Sequence, residues 1–216
     1  MTQLPRRALR QAGPAPQGQR PDSTSHMNIP AKVLIVGAGG FGRSVADAVS
    51  ASGHYTVAGF VDDRGPDLGQ ILGRAVLGRL ADLPALRLHH GWVVVAIGDN
   101  KRRREVCDIA LAAGFELATI VHPRAFVSPH ALIGAGSMIM AGAIVGTEAQ
   151  VGTGVIINAA AVVDHHARVG DFGHLGLGAC MAGGAVIGAG AWLQEGVMLG
   201  AGQVVADGCV VPRLAR

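Results

Sequence analysis

The stretch Val145–Val169, VGTEAQVGTGVIINAAAVVDHHARV, carries an aliphatic residue at every sixth position, and this spacing continues without a break from Val121 to Val211. A period of six fits neither an α-helix nor the alternation of a β-strand, so it predicts an architecture of short repeats. The positions in this phase are Val121, Val127, Ile133, Ile139, Val145, Val151, Ile157, Val163, Val169, Leu175, Met181, Ile187, Leu193, Leu199, Val205 and Val211.

Small residues occupy two further positions of the repeat. Glycine often follows the aliphatic residue directly, as at Gly134 and Gly152, and a small residue usually stands four places after it, as at Ala143 and Ala161. The pattern predicts a parallel β-helix of triangular section, with the aliphatic side chains inside and stability arising from coil stacking. We expect the glycines to adopt backbone angles closed to other residues. About fifteen hexapeptides give about five coils.

Composition narrows the class of protein. Half of the residues are hydrophobic but only 4% are aromatic, which suits the thin core of a β-helix. The formal net charge is +3, and Arg6, Arg7, Arg10 and Arg20 account for it, which argues against a nucleic-acid-binding surface. The 3 scattered cysteines predict reduced thiols in a cytoplasmic protein, and the sequence shows neither a secretory signal nor a membrane span.

The N-terminal half of the sequence alternates between strand and helix patterns. Residues 1–30, rich in Pro, Gly, Gln and Arg, are predicted to form a disordered tail. Over residues 31–120, strands are predicted at 32–37, 55–61, 92–97 and 115–120, with helices ending near 52, 88 and 113. This order predicts a Rossmann-like parallel sheet, joined to a β-helix domain over residues 121–216.

A glycine-rich turn follows the first predicted strand. Gly37, Gly39 and Gly42 fit the G-x-G-x-x-G pattern, and Asp62 and Asp63 end the next strand. Such a turn suits a phosphate, and a carboxylate at a strand end suits a ribose hydroxyl. The segment has room for only one mononucleotide-binding half, so it favours a nucleotide or nucleotide sugar over NAD. Tight strand–helix packing is the alternative role of the glycines.

A polar loop, Gly98-Asp99-Asn100, follows the strand predicted at 92–97. Ligands of open α/β sheets bind at the carboxyl ends of strands, so Asp99 and Asn100 are candidate ligand contacts, with helix capping as the alternative. The basic run Lys101–Arg104 that follows is interpreted as a solvated helix face, with a phosphate contact as the alternative.

Three histidines cluster on the repeat: His165, His166 and His174. The phase places His165 two residues after an inward valine, at an outward corner, with Gly183 one coil further on leaving room beside it. Histidine suits proton transfer near neutral pH, and Asp164 is positioned to fix its tautomer. Solvated histidines and a zinc site are the alternatives.

Six segments carry a family resemblance: Gly37–Gly42 (GAGGFG), Phe60–Asp63 (FVDD), Ala96–Asn100 (AIGDN), Val121–Pro123 (VHP), Ile157–His165 (INAAAVVDH) and Val169–Gly183 (VGDFGHLGLGACMAG). In this order they resemble the bacterial hexapeptide-repeat acetyltransferases that O-acetylate sialic acid or N-acetylate UDP-4-amino sugars, the NeuD/PglD-like family. The resemblance implies an acceptor-binding half-Rossmann domain, a left-handed parallel β-helix and a cytoplasmic homotrimer.

The resemblance also implies the site. Acetyl-CoA is the cosubstrate, bound between adjacent β-helices beside His174 and Gly183, and no metal is expected. His165 is the general base. The residues implied to line the acceptor pocket are Gly39, Gly40, Phe41, Asp62, Asp63, Arg64, Gly98, Asp99 and Asn100.

Three departures from the family pattern bear on this site. The residue after the catalytic histidine is usually acidic, but here it is His166, so either His166 or Asp164 is expected to tune His165. Phe41 stands where the family often has histidine. Family sequences continue past the position of Arg216, so part of the usual CoA wall is expected to be missing or to come from elsewhere.

The expected activity is acetyl-CoA-dependent N-acetylation of a UDP-linked 4-amino-4,6-dideoxy sugar. Sugar O-acetylation of the sialic acid type is the nearest alternative. A metal-dependent β-helix hydratase and a non-catalytic trimeric scaffold are alternatives of other classes.

Overall fold

The computed structural model describes residues 30–213, so the tail predicted over residues 1–30 lies outside the described residues apart from Pro30. The strands of the first unit are β1 (Ala31–Val36), β2 (Tyr55–Val61), β3 (Gln70–Ile71), β4 (Arg74–Gly78), β5 (Trp92–Val95) and β6 (Glu116–Leu117). Its helices are α1 (Gly40–Ser52), α2 (Leu83–Leu86) and α3 (Asn100–Ala112), with 3-10 turns at Pro66–Leu68 and Leu80–Asp82.

These strands form one sheet in the order β3-β4-β2-β1-β5-β6, in which only the β3–β4 pair is antiparallel. The predicted Rossmann-like unit is therefore confirmed. The chain runs outward from β1 to β2 and then returns to β5 on the other side of β1. That reversal is the point at which open α/β sheets form a ligand crevice, between the turns that follow β1 and β5.

Two sequence-based boundaries in this unit were wrong. The helix predicted over residues 80–88 is a 3-10 turn followed by the short α2, because Pro84 has no N–H to continue a helix and starts a new one instead. The strand predicted over residues 115–120 is split. Its last residue, Ile120, donates its N–H to the carbonyl of Ser137 and so already belongs to the second unit.

The second unit is the predicted left-handed parallel β-helix, built from two-residue strands. Its strands are β7 (Ile120–Val121), β8 (Phe126–Val127), β9 (Leu132–Ile133), β10 (Met138–Ile139), β11 (Ile144–Val145), β12 (Gln150–Val151), β13 (Ile156–Ile157), β14 (Val162–Val163), β15 (Arg168–Val169), β16 (His174–Leu175), β17 (Cys180–Met181), β18 (Val186–Ile187), β19 (Trp192–Leu193), β20 (Met198–Leu199), β21 (Val204–Val205) and β22 (Val210–Val211).

The strands stack into three parallel sheets. Coil sheet 1 contains β7, β10, β13, β16, β19 and β22; coil sheet 2 contains β8, β11, β14, β17 and β20; coil sheet 3 contains β9, β12, β15, β18 and β21. Met138 pairs with Ile156, and Ile144 with Val162, so each residue lies beside the one eighteen positions away. Three hexapeptides therefore make one coil.

The interior confirms the aliphatic phase but corrects the role given to the glycines. The in-phase residues from Ile139 to Leu199 are buried in one core, with the small residues between them. Glycines directly after the aliphatic position are not in the left-handed region; a Cβ on Gly134 would lie 2.5 Å from the carbonyl carbon of Gly152. They are required by the close approach of adjacent coils. Left-handed angles occur two residues later, as at Gly136 and Gly154.

Arg103 joins the two units. Its side chain is fully buried, and its guanidinium donates to the amide oxygen of Asn100 and to the carbonyls of Gly154, Ile97, Gly98, Phe172 and Gly173. Burial lowers the pKa of Arg103 to about 10, so it remains charged at neutral pH. The interpretation of this residue as part of a solvated face was wrong, because α3 turns it toward the corner between coil sheets 3 and 1.

Two further features complete the fold. Between residues 30 and 213, none of the helices combines the length and the hydrophobicity that crossing a bilayer requires. Cys107, Cys180 and Cys209 are free thiols. Cys107 lies on α3 and is buried in the core between this helix and the sheet.

Replacing Arg103 tests the junction. Arg103→Met keeps an apolar stem but removes every donor, leaving buried carbonyls of both units without partners, so we expect the free energy of unfolding to fall by ~3 kcal/mol or more. The matched control is Arg102→Met, which removes an exposed arginine from the same helix turn and should cost less than about 1 kcal/mol. Urea unfolding measures both, and equal losses would contradict the assigned role.

Candidate active site

The glycines in the turn after β1 differ in how much free space surrounds them. A Cβ on Gly37 (φ 106°) would lie 2.8 Å from the carbonyl oxygen of Ala96, and Gly42 packs directly on the backbone of Gly37. Gly39 and Gly40 instead face open space. The glycines of the motif therefore have two different roles. Gly37 and Gly42 permit the close packing of strand and helix, whereas Gly39 and Gly40 leave exposed backbone that suits a phosphate.

Asp62 closes the side of this turn. Its carboxylate accepts the N–H of Ala38 at 2.8 Å and is held by the guanidinium of Arg64 at 2.8 and 3.1 Å. The Arg64 hydrogen bonds are the main reason that the pKa of Asp62 falls to about 2. Asp63 points elsewhere, accepting from the N–H of Leu80 and from Arg102. Of the two predicted acceptor carboxylates, only Asp62 lies at the glycine turn.

The loop after β5 lies next to the turn after β1, since a Cβ on Gly37 would lie 3.5 Å from the side chain of Ile97. Asp99 caps α3 by accepting the N–H of Arg102 at 2.7 Å, which confirms the capping alternative. The amide nitrogen of Asn100 donates to the carbonyl of Gly190 at 2.9 Å, on the β-helix. Gly98 faces open space. The side chains of this loop thus hold it in place, while its backbone at Gly98 is exposed.

His165 lies at the corner between coil sheets 2 and 3, where the repeat predicted it. The Asp164 carboxylate accepts the His165 backbone N–H at 2.7 Å and so fixes the turn. The ring, with 60% of the side chain exposed, packs over Gly183 one coil further on. A Cβ on Gly183 would overlap it, so the missing side chain provides the space that the imidazole occupies.

A line of contacts leads away from His165. Its Nδ1 lies 3.0 Å from Nδ1 of His166, and Nε2 of His166 lies 3.0 Å from a carboxylate oxygen of Glu148. By contrast, the Asp164 carboxylate is 3.8 Å from Nε2 of His165, beyond hydrogen-bond length. Sequence analysis missed Glu148, although it stands eighteen residues before His166, the spacing that brings equivalent positions into contact.

His174 lies on a different side of the coil from His165. Its ring, which belongs to coil sheet 1, is buried and stacks on Trp192 with the ring centroids 5.4 Å apart. Burial lowers the pKa of His174 to about 4; the charge of Arg103 adds to the shift, and the Gly98 carbonyl and Glu195 oppose it. Neither ring nitrogen has a hydrogen-bond partner of ordinary length within the described structure. Its predicted contact with acetyl-CoA stays a prediction.

The zinc alternative requires donors that converge. Among residues 30–213, no three His, Cys, Asp or Glu side chains are arranged to hold a metal ion. His165 and His166 share one corner, while His174 faces the first unit.

Within a single chain, the residues predicted to line the acceptor pocket do not lie beside His165. Asn100 and Arg103 bond to Gly190, Gly154 and Phe172, all on the corner between coil sheets 3 and 1. His165 lies on the corner at the opposite edge of coil sheet 3. The glycine turn and the imidazole are therefore on different sides of the same β-helix.

Buried neutral His174 predicts a pH-dependent stability. Its pKa is about 4 in the folded chain and about 6.5 when unfolded, so the unfolded state binds more protons between these values. Stability should fall as the pH drops from 6.5 to 4, by up to ~3 kcal/mol from this residue. His174→Phe keeps the stack on Trp192 and should flatten that dependence in urea unfolding, whereas exposed His89→Phe is the matched control. Parallel profiles for His174→Phe and wild type would contradict the assignment.

Comparison with known proteins identifies relatives of both units. A family model of the PglD N-terminal domain matches residues 32–110. A histidine-to-asparagine variant of perosamine N-acetyltransferase from Caulobacter crescentus, in complex with CoA and GDP-perosamine, is 38% identical, with a TM-score of 0.69. That alignment covers 85% of this chain and 89% of that one. No curated protein matches the sequence significantly.

The acetyltransferase domain of PglB from Neisseria gonorrhoeae FA1090, in complex with acetyl coenzyme A, is 33% identical, with a TM-score of 0.72. The alignment covers 84% of this chain and 95% of that domain. WeeI from Acinetobacter baumannii AYE, at 18% identity and a TM-score of 0.58, shares the fold. With this degree of identity over nearly the whole length of two such enzymes, the chain belongs to the NeuD/PglD-like family of hexapeptide-repeat sugar acetyltransferases.

Proposed function

We propose that the protein transfers the acetyl group of acetyl-CoA to the amino group of a nucleotide-linked amino sugar. The observation that carries this proposal is the exposed imidazole of His165, seated over Gly183 on a β-helix whose relatives hold CoA with GDP-perosamine or hold acetyl coenzyme A. The open glycine turn after β1 supports an acceptor with phosphates, because backbone N–H groups at the start of α1 suit an anion.

In the proposed reaction, His165 removes a proton from the acceptor amine as its nitrogen attacks the thioester carbon. Backbone N–H groups near Gly183 stabilise the oxyanion of the tetrahedral intermediate. The intermediate collapses by breaking the carbon–sulfur bond. His165 then returns its proton to the CoA thiolate, leaving the amide product and free CoA.

The acceptor is assigned to the crevice between the turns after β1 and β5. Gly39, Gly40 and Gly98 supply exposed backbone there, and Asp62 and Arg64 border it. Phe41 and the backbone of Asp99 and Asn100 complete the proposed lining, whereas the carboxylate of Asp63, which accepts from Leu80 and Arg102, is left out of it. The resemblance favours a uridine nucleotide, whereas the perosamine enzyme structure holds a guanosine nucleotide, so the base is left to the assay below.

A homotrimer would complete the site. The outward face of coil sheet 2 carries Phe126, Ile144 and Met198, which are 59%, 41% and 77% exposed. An exposed apolar strip of this kind is typical of a protein–protein interface. Because coil sheet 2 ends at the corner that bears His165, a neighbour packed there would bring its own acceptor crevice toward the imidazole.

The assay measures thiol release from acetyl-CoA with a panel of UDP- and GDP-linked amino sugars, and mass spectrometry locates the acetyl group. We expect N-acetylation of a 4-amino sugar, and His165→Ala should reduce turnover by ~10²–10⁴-fold without unfolding. His89→Ala, at an exposed site on the first unit, is the control. Acetyl found on a hydroxyl would support the O-acetyltransferase alternative, and wild-type turnover in His165→Ala would remove that residue from the mechanism.

Assembly has its own test. Sedimentation should give about three times the 22.0 kDa chain mass for the wild type. Ile144→Glu should yield monomers that lack acetyl transfer, because a charge on the apolar strip cannot be buried between subunits. Leu88→Glu, at an 81% exposed site on the first unit, should remain trimeric. A monomeric wild type with full activity would reject the shared site.

A further inference from the structure

We propose that Glu148 is a positioning residue for acetyl transfer, which acts on His165 through the intervening ring of His166. The inference rests on the proposed role of His165 as the base. It concerns residues of this chain that depart from the family pattern, in which an acidic residue directly follows the catalytic histidine.

The backbone places these side chains where glycine is usual. Glu148 and His166 have φ angles of 58° and 60°, in the left-handed region, at a corner position where most other coils have glycine. A residue other than glycine in this conformation costs roughly 1 kcal/mol or more. Equivalent positions on adjacent coils lie side by side, so the two strained residues face each other, and their side chains meet at 3.0 Å.

The contacts dictate the tautomer of each ring. An ionised carboxylate only accepts hydrogen bonds, so the Nε2 of His166 that contacts Glu148 must carry a proton. The Nδ1 of neutral His166 is then an acceptor, and it receives the Nδ1–H of His165, 3.0 Å away. This leaves the lone pair of His165 on Nε2. The carboxylate thus selects, through one imidazole, which nitrogen of the next is free to act as a base.

Asp164 is not in a position to do this. One of its oxygens already accepts the backbone N–H of His165, and the other is 3.8 Å from Nε2, the nitrogen that has to receive the substrate proton. We therefore assign to Glu148, instead of Asp164, the role of the acidic residue that follows the catalytic histidine in the family pattern. The other side chains around the Glu148–His166 contact are His130, Leu132, Gln150 and Arg168, which line the same open pocket.

The test uses Glu148→Gly, which installs the residue most corners already have. We expect the melting temperature to stay the same or rise, because the backbone strain is relieved, while kcat falls ~10–100-fold with KM for both substrates unchanged. Ala160→Gly relieves a left-handed angle (φ 57°) at a corner that does not contact the histidines and serves as the matched control, with wild-type kcat expected.

A second variant provides rescue. His166→Asp places an acid directly beside His165, as in the family pattern, and aspartate tolerates the left-handed angle. In that background, adding Glu148→Gly should change kcat less than twofold. A tenfold further loss there would overturn the relay, because Glu148 would then be acting by another route.

Nitrogen-15 NMR of histidine-labelled protein gives a readout that does not depend on turnover. The His165 signals, assigned by their loss in His165→Ala, should show the proton on Nδ1 in wild type and a mixture of tautomers in Glu148→Gly. An unchanged tautomer, or full kcat in Glu148→Gly while His165→Ala is inactive, overturns the relay and leaves the proposed function standing. Full activity in His165→Ala overturns both.

Discussion

The structure depends on one constraint, the stacking of each residue on the one eighteen positions away. Aliphatic side chains at every sixth residue fill the inside of the coil, and no single coil can bury them alone. Once that interior is fixed, so is the outside, because every outward side chain must lie beside its equivalents above and below. His165 over Gly183, His166 beside Glu148 and His174 against Trp192 are all consequences of this register.

The same register explains how the two units fit together. Three successive coils present Gly154, Phe172 and Gly190 along one corner, and α3 reaches all three with Arg103 and Asn100. A charged guanidinium buried without a carboxylate is stable here because oxygens of the chain surround it. The loop after β5, which borders the proposed acceptor crevice, is thereby held rigidly against the β-helix.

Much of this could be predicted from sequence, and the failures have physical causes. The six-residue spacing of aliphatic residues correctly predicted the coil and its interior. The alternation of strand and helix patterns correctly predicted the parallel sheet, with β2 at residues 55–61. Glycine after the aliphatic position was correctly noticed but wrongly explained, since a close approach between coils is not visible in one repeat. Arg103 was missed because burial of an arginine depends on the partner surface. Glu148 was missed because its contact with His166 arises only from the eighteen-residue spacing between adjacent coils, and nothing in the sequence close to either residue indicates it.

A coil in which every contact is fixed at a constant interval has an evolutionary consequence. Inserting one residue within a strand would change the interval from eighteen to nineteen for every stacked pair that spans the insertion, so the coil before it and the coil after it would no longer be in register. Three kinds of length change are therefore compatible with the fold. They are a whole hexapeptide, which moves every later strand to the next sheet, a complete coil, and a loop that leaves the β-helix at a corner. A substitution at an exposed corner position leaves this interval unchanged, so the side chains at such corners, and the chemistry that they support, can change while the spacing is kept.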